Sequence, residues 1–185
     1  MKTLIFPTGN EVKFRLANLV CEQKGIALQR LEIDVPELQA ESGEEVCRDK
    51  ALRAFEILRK PLVVNDDSWI IPGLGGFPGP YMKSMNKWFT SEDWLRLTKD
   101  LADRRIILRQ VAVYQDQDQQ KTFISDIQGM LLTEIRGESH FTHTPMVSFD
   151  GGKNTVAEVH ARGEAAAEGH RTAWHDFAEW FAAQS

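Results

Sequence analysis

From Pro72 to Pro80 the chain reads Pro-Gly-Leu-Gly-Gly-Phe-Pro-Gly-Pro, with four glycines and three prolines. Such a stretch continues neither a helix nor a central strand, because proline lacks an N–H and glycine loses the most freedom when ordered. The chain must turn sharply here. Just before it lies an apolar run, Pro61–Val64, with a short buried strand expected over Leu62–Val64. Asn65, two adjacent acids, Asp66 and Asp67, and then Ser68 follow. Acids at the end of a buried strand, ahead of a stiff turning loop, are what a metal-assisted site needs.

The remaining elements are read from periodicity. Lys2–Pro7 is a first strand, and Thr8-Gly9-Asn10 is a turn with Asn10 placed to cap a helix. Val12, Leu16, Leu19 and Val20 predict a helix to about Lys24, stopped by Gly25. Ile26–Val35 alternates as a second strand, Pro36–Gly43 is a loop, and Glu44 to about Leu58 is a helix. Tyr81–Phe89 fits either a helix or a loop, and Ser91–Ala102 is an amphipathic helix. Arg104–Tyr114 and Lys121–Ile135 form an antiparallel hairpin across the polar turn 116–120. Arg136–Thr155 is irregular, Ala161–Glu168 leads toward a helix, and a last helix runs from Glu168 to about Ala183. Strands and helices alternate and then give way to two long strands. The fold class is therefore α/β with a mixed sheet, in one domain over residues 1–185.

Composition limits the partners. A net charge of −5 argues against a polyanion or an anionic membrane surface, which need surplus Lys and Arg. No apolar run approaches the roughly 20 residues of a membrane span. Two cysteines, Cys21 and Cys47, without CxxC spacing leave no disulfide framework or zinc site to expect. A cytoplasmic enzyme that takes a small anionic ligand in a local basic pocket remains compatible with these features.

Three places could carry chemistry. Thr8-Gly9-Asn10-Glu11-Val12-Lys13 runs from a strand through a turn into a helix N-terminus, where free N–H groups and the helix dipole favour an anion. The same residues equally suit an ordinary strand-turn-helix with Asn10 as cap. Glu41, Asp66 and Asp67 could hold Mg²⁺, which prefers carboxylates, water and substrate phosphate oxygens, while one carboxylate orients or deprotonates a water. Turn acids and a solvated Glu41 are the alternative. Gly169-His170-Arg171 could contact a phosphate or a base edge, or could simply open an exposed helix. His140, His143, His160 and His175 have no metal-ligand spacing and read as structural or surface residues.

In order, TGNxxK from residue 8, Glu41, Asp-Asp-Ser at 66–68, Leu74-Gly-Gly-Phe-Pro-Gly-Pro-Tyr81 and His170-Arg171 resemble the inosine triphosphate pyrophosphatase family over nearly the whole chain. The 74–81 stretch is the most specific part. The resemblance implies an elongated single α/β domain with a long mixed β-sheet flanked by helices, a homodimer and Mg²⁺. It also implies hydrolysis of non-standard purine nucleotides such as ITP, dITP and XTP to the monophosphate and pyrophosphate. By the same resemblance, Thr8, Gly9, Asn10 and Lys13 bind phosphates, and Glu41 and Asp67 ligate the metal. Asp67 serves as base with Asp66 in support, Ser68 contacts substrate, and His170 and Arg171 read the base. A helical cation, Arg53 or Lys50, reaches a phosphate. The base-pocket motif departs from the family pattern. It reads Phe141-Thr142-His143-Thr144-Pro145, with Thr144 in place of an acid and His143 in place of Tyr or Trp. Phe141 and Thr144 are thus the expected base contacts. Ala165 stands where a Lys is expected, and Gly169 where a Ser is. The phosphate half of the pattern is kept and the base half altered, so a shifted base preference or a non-catalytic nucleotide-binding homologue are the alternatives.

Overall fold

A computed structural model describes residues 2–167 and 169–184. The chain divides into two compact units. The first comprises the chain through Asp67, Gln110–Ser125 and the chain from Arg171, and the second comprises Ser68–Arg109 and Asp126–His170.

In the first unit, β1 (Lys2–Pro7) pairs in parallel with β2 (Ile26–Leu31), from Lys2↔Ile26 to Pro7↔Leu31. It also pairs in parallel with β3 (Leu62–Ile70) at Ile5↔Leu62. The order is β2-β1-β3-β5-β6, where β5 is Arg105–Gln115 and β6 is Gln120–Leu131. Helices cover both faces. Val63, Ala112 and Tyr114 pack with Phe6 and with α1 (Glu11–Glu22) and α6 (Ala173–Ala182), through Ala17, Trp174 and Phe177. Leu62, Val64, Val111 and Val113 pack with Cys47, Ala51 and Ala54 of α2 (Gly43–Leu58). Odd and even positions of β3 thus face different helices, which explains why Leu62-Val-Val reads as continuously apolar.

In the second unit, β4 (Pro78–Gly79) folds back antiparallel on the end of β3, with Trp69↔Gly79 and Ile70↔Pro78. On β6, β7 (Val147–Ser148) pairs antiparallel at Met130↔Ser148 and Leu131↔Val147. A side chain at Gly129 would lie 2.7 Å from the Ser148 carbonyl oxygen and 2.8 Å from the Phe149 ring, so this close approach requires glycine. Three short helices, α3 (Met82–Trp88), α4 (Ser91–Thr98) and α5 (Val156–Ala161), close a core of Ile71, Met85, Trp94, Ile106, Leu131 and Met146.

The α/β class and the mixed sheet agree with the sequence reading. Several bounds differ. The strand expected to end at Val64 runs on to Ile70, because β5 lies hydrogen-bonded beside β3 and β4 adds partners for Trp69 and Ile70, which together override the poor strand propensity of Asn and Asp. The second strand stops at Leu31, short of Val35. Within the segment 81–89, Met82–Trp88 is helical as α3, α4 ends at Thr98, β7 forms in the stretch read as irregular, and α5 forms where no element was assigned. The last helix begins at Ala173, and its expected start at Glu168 lies outside the described residues.

Candidate active site

Alternation along β3 assigns the two acids. Asp67 has the parity of Val63 and so faces the side covered by α1, where Lys13 Nζ sits 3.0 Å from its Oδ2. Asp66 has the parity of Val64 and so faces α2, where the charge of Lys50 acts on it. Lys13 of α1 thus pairs with Asp67 and is also the strongest-acting cation on Asp66, with Lys50 of α2 adding a weaker attraction to Asp66. Burial pulls the Lys13 pKa down, but attraction to Asp67 and Asp66 outweighs it, and the ammonium ends above its ordinary value. Burial raises the Asp66 pKa, with Asp67 and Glu37 adding to the rise and Lys13 and Lys50 opposing it. Asn65, buried in the same strand, donates through Nδ2 to Asp67 Oδ1 (3.3 Å) and to the Val111 carbonyl on β5 (3.1 Å). Asp67 is therefore held at both oxygens, by Lys13 on one and Asn65 on the other.

The turn ahead of α1 takes the expected form. Asn10 Oδ1 accepts from Lys13 N–H (3.0 Å), and Thr8 Oγ accepts from Asn10 N–H (3.1 Å). Gly9 lies between them. As at any helix start, the first-turn amides have no intrahelical acceptor.

Other expected residues are exposed or engaged with other partners. Glu41 is exposed, and its side chain makes no hydrogen bond or ion pair among the described residues. Glu37 instead faces Lys50 at 3.8 Å and is among the charges acting on Asp66. Arg53 is exposed and donates to Asp49 one turn back on its own helix (2.6 Å), so Lys50 is the α2 cation beside the acids. Arg171 donates to Asp176 (2.8 Å) and Glu179 (2.7 Å) on α6. Glu37 had no local signal, because it sits in an irregular loop where neither periodicity nor a motif separates it from Glu41. Asn65 shows in the sequence only as the polar residue directly after the apolar run 61–64.

The residues read as a base pocket belong to the second unit. Trp69 meets the His143 ring at 4.6 Å and Phe149 at 6.0 Å, and Phe149 meets His170 at 6.1 Å. Ser68 is buried, and its Oγ has no partner among the described residues. Thr144 is buried and donates to the Phe141 carbonyl (2.8 Å), closing its own turn, while the exposed Phe141 ring lies 3.9 Å from His140. Ala165 is half-buried.

His143 has a defined protonation. Asn86 Oδ1 accepts from the Thr142 backbone N–H (3.0 Å), which fixes that atom as oxygen. His143 Nδ1, 3.2 Å from the same oxygen, must then carry the hydrogen. Burial, aided by His160, pushes the imidazole pKa down to about 3, so Nε2 is a bare acceptor without a partner among the described residues. Between pH 3 and the unfolded value near 6.5, the unfolded chain binds a proton that the folded chain does not. Stability from this group is therefore complete above about 6.5 and is lost as pH falls toward 3. Lowering the pH from 7 to 5 should cost the wild type about 2 kcal/mol more than His143→Gln, read as the difference between their urea unfolding curves.

No three His, Cys, Asp or Glu side chains among the described residues close a metal cage. The oxygen donors present, Asp66 and Asp67 with Glu37 acting on Asp66, suit a hard divalent cation that takes the rest of its shell from water and phosphate. A metal of this kind fits the donor set. A closed thiolate or imidazole site does not.

The first unit is an α/β fold that sets paired carboxylates and Lys13 beside the capped start of α1. The model of the Ham1 family matches residues 4–180, and the chain belongs to that family. A dITP/XTP pyrophosphatase from Methanopyrus kandleri is 33% identical over 96% of this chain and 95% of its own length. Inosine triphosphate pyrophosphatase 2 from Trypanosoma cruzi is 30% identical over 82% of this chain and 78% of its own. A HAM1 protein from Coxiella burnetii has a similar fold, with a TM-score of 0.76 at 17% identity and 98% coverage of both chains.

Proposed function

We propose that the chain hydrolyses non-standard purine nucleoside triphosphates, of the ITP, dITP and XTP type, to the monophosphate and pyrophosphate. The observation that carries this reading is the pair of adjacent β3 carboxylates, with Lys13 ion-paired to Asp67 and the charges of Lys13 and Lys50 acting on Asp66, next to the capped turn 8–13. The named activities of the relatives from Methanopyrus and Trypanosoma support it. In this reading the chain acts as one catalytic domain. Mg²⁺, a homodimeric state and a cytoplasmic setting belong to the same proposal and rest on the family resemblance.

In the proposed mechanism, Asp67 takes a proton from a water that attacks the α phosphorus. The bond from that phosphorus to the bridging oxygen breaks, and pyrophosphate leaves with the electron pair. Thr8, Gly9 and Asn10 bind the phosphate chain, and the protonated Lys13 takes up the charge gathering on the leaving group. Lys50, rather than Arg53, adds the second cation, and Asp66 and Glu37 support Asp67. When bound at these carboxylates, Mg²⁺ supplies charge neutralisation of the phosphate oxygens. Ser68, Phe141, Thr144, His170 and Arg171 remain the proposed contacts of the nucleoside end.

A second reading keeps the reaction and changes the base. It is favoured by Thr144, whose hydroxyl is engaged with the Phe141 carbonyl, and by the neutral acceptor His143 in place of a Tyr or Trp. A site that presents polar groups to one base edge rejects a base lacking the matching partner. A panel of ITP, dITP, XTP and the common triphosphates with Mg²⁺, scored by pyrophosphate release, separates the two. Highest kcat/KM on ITP, dITP or XTP supports the first reading, and another optimum supports the second. Nucleotide binding without release from any of them would leave a binding homologue and defeat both.

A further inference from the structure

We propose that Arg30 is a positioning residue that sets the phosphate-binding turn, a role that rests on the triphosphate reading above. Arg30 lies near the end of β2, opposite Phe6 in the ladder with β1. Its guanidinium reaches past the end of β1 and donates from Nε to the Thr8 carbonyl (3.2 Å) and from Nη2 to the Gly9 carbonyl (2.9 Å). One planar fork thus holds two successive peptide oxygens.

The consequence follows from peptide geometry. In a trans peptide the C=O and the N–H point in opposite directions. Fixing the Thr8 carbonyl on Arg30 therefore aims the Gly9 N–H away from Arg30. The next peptide is fixed twice, by Arg30 at the Gly9 carbonyl and by Thr8 Oγ at the Asn10 N–H. The Thr8 N–H, already given to the Leu31 carbonyl (3.0 Å), anchors the turn at its start. Without Arg30, the Thr8 and Gly9 carbonyls lose their partner and the Gly9–Asn10 peptide is held by Thr8 Oγ alone, so a carbonyl oxygen could swing toward the phosphates and repel them. Arg30 draws both oxygens back and neutralises their partial charge. A lysine cannot reproduce this, because its single ammonium does not present two donors in a rigid plane.

Arg30 is exposed and lies outside the buried core, so its variants should fold. The test is steady-state hydrolysis of the best triphosphate by the wild type, Arg30→Ala, Arg30→Gln and Arg30→Lys, with pyrophosphate as a competing ligand. Arg30→Ala should raise KM and the pyrophosphate inhibition constant about tenfold each, with kcat within about twofold, because the turn binds phosphate before and during reaction alike. Arg30→Lys should be nearly as impaired as Arg30→Ala. Wild-type KM in Arg30→Ala, or full rescue by lysine, would overturn the role, the second outcome reducing Arg30 to a general positive charge. Loss confined to kcat would also overturn it. A wild-type protein that releases no pyrophosphate from any triphosphate would instead refute the parent reading.

Discussion

Asp67→Asn lowers kcat by roughly 100- to 10,000-fold, the range expected when a positioned general base is removed. The change is nearly isosteric. The Asn65 amide hydrogen bond to Oδ1 can be kept, and Asp67 is only partly buried, with 21% of its side chain exposed, so the fold tolerates the change. What is lost is the negative charge 3.0 Å from Lys13 and the acceptor for the water proton. Pyrophosphate release and a thermal melt on the same preparation check the prediction. Full activity in the variant would remove Asp67 from the base role.

The second large effect is a contrast between two glutamates four residues apart. Glu37→Gln weakens activation by Mg²⁺ by about 10- to 100-fold, the range seen when a group supporting a metal site is lost. Glu41→Gln changes it by no more than about twofold, as expected for an exposed side chain without partners. The basis is that Glu37 lies against Lys50 and acts on Asp66, whereas Glu41 does neither. Magnesium titrations of initial rate for the two variants decide between them. The reverse order would return the ligand role to Glu41.

These two predictions mark where the sequence could be read and where it could not. The turn at 8–13 was legible because a strand, a small-residue turn and a capping Asn are local signals. The acids at 66 and 67 were legible because charge directly after an apolar run is unusual. Their opposite orientations were not, since that depends on β3 continuing past Val64, and continuation depends on β5 and β4, partners that come later in the chain. Glu37 had no separate signal beside Glu41 for a related reason. An irregular loop has no repeat from which direction can be inferred, and only its packing against α2 selects one acid. Arg53 and Lys50 differ by three positions on one helix, close to a full turn. Which of them reaches Asp66 follows from how α2 lies on the sheet. Arg171 read as a ligand residue because it follows His170, yet the carboxylates that engage it, Asp176 and Glu179, come later on α6.

The two-residue repeat of β3 acts as an address. Asp66 is delivered to one helix and Asp67 to the other by count alone, so the strand's length from Leu62 matters more to the site than most of its side chains do. Apolar exchanges at Leu62, Val63 or Val64 alter packing but leave both deliveries correct. A single residue inserted or removed ahead of Asp66 would turn each carboxylate to the opposite face of the sheet while leaving every catalytic residue type in the chain.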